Sequence, residues 1–171
     1  MDRPVPPSTL VALDTNFLLD LTVPTERAQD LVELFRRRVK NVEFVAPPTV
    51  LTELAHLADK GATFREKKMA RLVLTSLVRV WKFHPLDFIP VGHGIIEQVA
   101  RRLRGHGMIP LGEINDSLIV AEAALANCTL LVTSDRHLLE ADPRLLRREL
   151  VASDVEPIAI CAPRDLLFKF K

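Results

Sequence analysis

The stretch Leu10-Val11-Ala12-Leu13-Asp14-Thr15-Asn16 (LVALDTN) decides how the chain is read. Four consecutive apolar residues without polar alternation have the pattern of a short strand buried on both faces, as in a parallel sheet. The run then meets a carboxylate. An acid so close to a core is costly to desolvate unless hydrogen bonds or a positive charge compensate it, so Asp14 is the first residue to follow.

Working outward, similar short apolar runs recur at Val42–Ala46 (VEFVA), Phe88–Val91 (FIPV, weakened by Pro90), Thr129–Val132 (TLLV) and Ile158–Cys161 (IAIC), each predicting a strand. Between them the periodicity becomes helical. Ala28, Leu31, Val32, Leu34 and Phe35 form one stripe, with Arg36, Arg37, Arg38 and Lys40 near the end where the helix dipole favours cations. A second helix begins at Pro48-Thr49 and stops at Gly61. Thr63 and Glu66 have capping-box spacing for a third, expected to reach about Trp81. A fourth is expected over Gly94–Leu103, a loop in the Gly- and Pro-rich RGHGMIPLG, and a fifth in EINDSLIVAEAALAN. RDLLFKFK reads as a short terminal helix or edge strand. Strands alternating with helices of this length imply right-handed crossovers and a mostly parallel sheet covered on both faces.

The 171 residues suit one domain, 1–171, led by a proline-rich segment at 1–7. Hydrophobic residues make up 48% and charged residues 26%, as in a folded globular protein. Lys plus Arg number 23 against 22 Asp plus Glu, a formal charge of +1 that gives no footprint of a dedicated DNA-binding protein; any nucleic-acid contact is local. Two cysteines beside apolar runs, Cys128 and Cys161, predict free thiols and a cytoplasmic protein. MDRPVPPSTL lacks the basic and apolar regions of a signal peptide, and no apolar run approaches the ~20 residues that span a bilayer, so no membrane association is expected.

In open α/β sheets, sites form beyond the carboxyl ends of the strands. Asp14 follows the first strand and Asp135 the fourth, in LLVTSDRH, while Glu53 and Asp116 lie in the helical segments VLTELAHL and EINDSLIV. Two like charges ~5 Å apart at an effective dielectric of ~20 repel by roughly 3 kcal/mol, so converging carboxylates call for a cation. Oxygen donors without a Cys or His cluster of zinc spacing select Mg²⁺ or Mn²⁺, ions able to activate a water and neutralise a leaving oxygen.

The segments VALDTN, TVLTEL, INDSLIVAEAAL and LLVTSD, in this order over residues 10 to 140, resemble the acidic signature of PIN-domain nucleases, above all the VapC-type toxins; Ala121, Ala123 and Ala124 supply the small residues of the helix between. The resemblance implies a PIN-like three-layer α/β/α sandwich with about five mostly parallel strands, and a metal-dependent endoribonuclease. By it, Asp14 is the central metal ligand, Asp116 binds the same ion, and Asp135 completes the cluster or positions a second ion. Glu53 either binds through water or takes a proton from the attacking water. Thr15, Asn16, Thr133 and Ser134 orient carboxylates or water. RNA is the implied substrate, and a small antitoxin and a homodimer are the implied partners.

Each piece also has an ordinary reading. Asp14 and Asp135 suit helix caps, Asp116 suits a first helical turn, and Glu53 suits a solvated helix face. A single metal site explains all four together. Glu113, one turn before Asp116, either joins the cluster or is a plain helix-start charge, the latter narrowly favoured. Asp20, Glu122, Glu140 and Asp142 are expected at the surface or in caps. The five histidines lack i, i+4 pairing and are not expected as ligands, although His106 in the Gly-rich loop is placed to touch substrate. Among the basic clusters, Arg101, Arg102 and Arg104 adjoin the loop into the Asp116 helix and are the preferred RNA contacts. A catalytically inactive scaffold of the same family and an aspartyl-phosphate domain are the competing readings. The second lacks the further acid two residues after Asp14.

Overall fold

The computed structural model describes residues 8–24 and 27–169; the proline-rich leader expected at 1–7 lies outside them. The strands are β1 (Thr9–Leu13), β2 (Val42–Ala46), β3 (His84–Pro85), β4 (Leu130–Val132) and β5 (Ala159–Cys161). They form one sheet in the order β3-β2-β1-β4-β5, with every neighbouring pair parallel. The central strand is the quoted stretch, and Val11, Ala12 and Leu13 are fully buried, as an apolar run covered on both faces requires. Helices α1 (Thr15–Asp20), α2 (Ala28–Arg38), α3 (Pro48–Lys60), α4 (Phe64–Ser76), α5 (Pro90–Gly105), α6 (Ile114–Leu125), α7 (Arg136–Leu139), α8 (Pro143–Val151) and α9 (Pro163–Lys169) complete a three-layer α/β/α arrangement around one continuous apolar core.

Local chemistry sets the element ends. Thr63 and Glu66 make the capping box: Thr63 Oγ1 accepts the Glu66 amide at 3.1 Å and Glu66 accepts the Thr63 amide at 3.0 Å. At Gly61, where α3 stops, an added Cβ would lie 2.6 Å from the Leu57 carbonyl oxygen. The site is closed to any side chain. On the β2 side of the sheet, Phe44 stacks against Phe83 with ring centroids 5.2 Å apart, and the Arg36 guanidinium lies 5.8 Å from both rings.

The third strand differs from the sequence expectation. It is not Phe88–Val91 but the two residues His84–Pro85, paired with Val45 and Ala46. Pro90 instead opens α5, where its fixed φ suits the helix and its missing amide costs nothing, so that helix starts at Pro90 rather than Gly94. Helix α4 ends at Ser76, short of Trp81, because the Val80 and Trp81 amides both turn back to the Ser76 carbonyl. Glu122 is neither on the surface nor a cap of its own helix. It is 4% exposed, and it accepts the Thr49 amide at 3.1 Å and the Thr49 hydroxyl at 2.7 Å, capping α3 from α6. That contact sets the spacing of the two helices that carry Glu53 and Asp116.

Candidate functional site

Strand order reverses between β1 and β4, since the chain leaves β1 for β2 on one side and returns through β4 on the other. A crevice opens at the carboxyl ends of strands flanking such a switch point. Asp14 leaves β1 there, 4% exposed and capping α1. Its Oδ1 accepts the Thr15 amide at 2.7 Å and its Oδ2 accepts the Thr133 hydroxyl at 2.6 Å. Thr133 follows β4, and its oxygen in turn accepts the Asp135 amide at 2.9 Å. Asp135 caps α7, its Oδ1 accepting the His137 amide at 2.7 Å. Capping and clustering therefore coexist at Asp14 and Asp135.

Helices α3 and α6 bring the other two acids. Glu53 Oε2 accepts the Thr15 hydroxyl and Oε1 accepts the Asn115 side-chain amide at 2.8 Å, so both carboxylate oxygens are aimed by neighbours. Asp116 lies in the first turn of α6, and its buried Oδ2 has no hydrogen-bond partner among the described residues. Burial above all, then the carboxylates of Asp135, Asp14, Glu113 and Glu53, push Asp116 up to about 7. Asp14 is raised to about 6, chiefly by burial and further by Glu53 and Asp135, against the lowering hydrogen bonds of Thr133 and Thr15. None of these contributors is a positive side chain.

The carboxylates of Asp14, Glu53, Asp116 and Asp135 thus lie close enough to repel one another. Glu113, the N-cap residue of α6, is among them, beyond the plain helix-start role favoured from sequence. His137 also faces the cluster, its Nδ1 3.5 Å from Glu113 Oε1 and 3.8 Å from Asp135 Oδ1. Sequence reasoning passed over His137 and Asn115. The available signal was adjacency: one lies two residues after Asp135 and the other just before Asp116. Asn16 and Ser134 are exposed. Arg101 is exposed as well, whereas Arg102 donates to Glu149 at 2.9 Å and Arg104 donates to the Ser117 hydroxyl. His106 sits 2.6 Å from Glu149.

The donor set fits a hard divalent cation. It consists of carboxylate oxygens, one of them buried without a partner, in a crevice whose acids repel each other's charge. The fold is similar to that of VapBC2 from Rickettsia felis, solved bound to a DNA fragment from its promoter, with a TM-score of 0.60 and 17% identity over 90% of this chain and 98% of that one. VapBC-1 from nontypeable Haemophilus influenzae aligns with a TM-score of 0.58 and 17% identity over 91% and 99%. FitAcB from Neisseria gonorrhoeae gives 0.52 and 17% over 90% and 98%. No curated protein matches the sequence. The family model for the PIN domain matches residues 11–143, from β1 through the acids to the start of α8, and this chain belongs to the PIN-domain family.

Proposed function

We propose that this chain is a Mg²⁺- or Mn²⁺-dependent endoribonuclease, the toxin of a toxin–antitoxin pair. The observation that carries the reading is the gathering of Asp14, Glu53, Asp116 and Asp135 from four separate segments, with Asp116 Oδ2 buried and unpartnered. Asp14, Asp116 and Asp135 would hold the cation. When bound, it supplies positive charge beside a scissile phosphate and lowers the pKa of a water. The chain's own residues do the rest. Thr133 fixes the Asp14 carboxylate, and Thr15 and Asn115 fix Glu53. An ionised carboxylate oxygen has two acceptor positions, so each Glu53 oxygen keeps one after these bonds, and Glu53 takes the proton of the water that attacks phosphorus. Asn16 and Ser134, exposed at the crevice, orient water or phosphate. Arg101 is the arginine of its cluster free to meet phosphate, while Arg102 and Arg104 are engaged internally.

The partners in this reading are RNA, a small antitoxin and a second copy of the chain. The similarity to the VapBC and FitAB structures supports the antitoxin. No helix among the described residues is long and apolar enough to cross a membrane, in keeping with action on RNA in the cytoplasm.

The test is cleavage of RNA with Mg²⁺ or Mn²⁺ by the wild type and by Asp14→Asn. Cleavage that requires the metal, stops with EDTA and is lost in a folded Asp14→Asn variant supports the reading. Cleavage indifferent to EDTA refutes the metal mechanism. RNA binding without turnover in either metal identifies an inactive scaffold instead.

A further inference from the structure

Beside the oxygen-only cluster lies a second set of donors that the nuclease reading does not use. One ligand atom each from Glu113, Asp116 and His137 lie within 4.8 Å of one another. Six-coordinate donors at ~2.1 Å from a cation stand about 3 to 4.2 Å apart, so slight side-chain rotation is enough to close this set. Two independent features point to a ligand rather than to a self-satisfied network. Asp116 Oδ2 is buried and unbonded. The imidazole Nδ1, at 3.5 Å from Glu113 and 3.8 Å from Asp135, approaches both acids without reaching normal hydrogen-bond length.

The backbone holds the set in place. The His137 amide donates to Asp135 Oδ1 at 2.7 Å, which fixes the histidine in the first turn of α7. Glu113 and Asp116 stand three residues apart at the start of α6, on one helix face. The His137 side chain is 47% exposed, so the position opens to solvent and an ion can reach it.

We infer that Glu113, Asp116 and His137 form a second cation position with mixed nitrogen and oxygen donors, adjoining the Asp14–Asp116–Asp135 site and sharing Asp116 with it. The inference rests on the metal reading above and extends it. An imidazole donor favours first-row transition dications over Mg²⁺, which prefers oxygen and water. The protein therefore takes Mn²⁺ at this position in preference to Mg²⁺, while the oxygen-only position accepts either.

The probe is Mn²⁺ alone, followed by electron paramagnetic resonance on the intact chain, with electron spin-echo modulation to detect nitrogen bound directly to the ion. The expected result is nitrogen modulation in the wild type that persists in a large excess of Mg²⁺ and disappears in His137→Gln. A roughly 10-fold or greater weakening of one class of Mn²⁺ is expected in both His137→Gln and Glu113→Gln. Mn²⁺ that binds without nitrogen modulation overturns this inference and leaves the oxygen-only centre standing. Failure to bind Mn²⁺ at all overturns both.

Discussion

Two buried carboxylate regions of this molecule are treated in opposite ways. At the carboxyl edge of β1 and β4, Asp14 and Asp116 are pushed up to about 6 and about 7 by burial and by other acids. On α8, Glu149 is held down to about 2 by hydrogen bonds from Arg102, Arg148 and His106, and it ties the end of α5 to α8. Its side chain is 3% exposed. Where a carboxylate serves the fold, the chain brings bases to it. Where it serves a ligand, the chain brings more carboxylates and leaves an oxygen unbonded. The difference separates a structural acid from a functional one more sharply than burial alone, because both regions are buried.

The strongest way to break the comparison is Asp116→Asn. The substitution removes a charge that has no hydrogen-bond partner, so cleavage should fall at least about 100-fold while the metal-free protein melts at a higher temperature at pH 8. Rate measurements and thermal melts on one preparation check both halves. A lower melting temperature in the variant would place Asp116 among the structural acids.

Next in size is the pH dependence of the metal-free fold, for which the two regions predict opposite limbs. Asp14 and Asp116 have folded values above the ordinary 3.8, so they cost stability progressively as pH rises from about 4 through about 7. For Asp14 the full cost is on the order of 3 kcal/mol above pH 7. Glu149 is depressed from 4.5, so its contribution is complete above pH 4.5 and is lost as pH falls toward about 2. Denaturant titrations across this range should show a maximum near pH 4 to 5. Mn²⁺ should lift the upper limb alone, and Glu149→Gln should flatten the lower limb alone. A single curve shifted uniformly by both treatments would erase the distinction.

The sequence carried the fold well where burial dictates residue type. β1, β2 and β4 announced themselves as apolar runs, and Thr63 with Glu66 announced a cap. It carried β3 poorly, because a two-residue edge strand holding His84 and Pro85 has no periodicity to detect, while FIPV imitates a strand that Pro90 converts into a helix start. The four site acids were legible because each stands at a strand end or beside an apolar helical run. Glu122 was not, since its role is a contact with Thr49, distant in sequence, and a Glu in an Ala-rich helix looks solvated. His137 and the Arg102–Glu149 pairing were hidden for the same reason: their meaning lies in which side chains meet across elements.

The smallest expected effect tests whether the acid pocket is tuned as well as assembled. Thr133→Val keeps the shape of the side chain and removes two hydrogen bonds, the one donated to Asp14 Oδ2 and the one accepted from the Asp135 amide. Losing them costs about 1 to 2 kcal/mol of stability, because the buried carboxylate and the amide lose their partner. The bond to Thr133 also lowers the Asp14 pKa, so its loss moves Asp14 further up and leaves more of it protonated at pH 7. Mn²⁺ affinity at pH 7 should therefore fall about 10-fold, and the deficit should shrink at pH 9, where Asp14 is ionised in both proteins. Calorimetric titrations at the two pH values decide the matter. A deficit equal at both would mean that Thr133 only orients the carboxylate; one that closes at high pH means that a single hydroxyl sets how readily the pocket carries its charge.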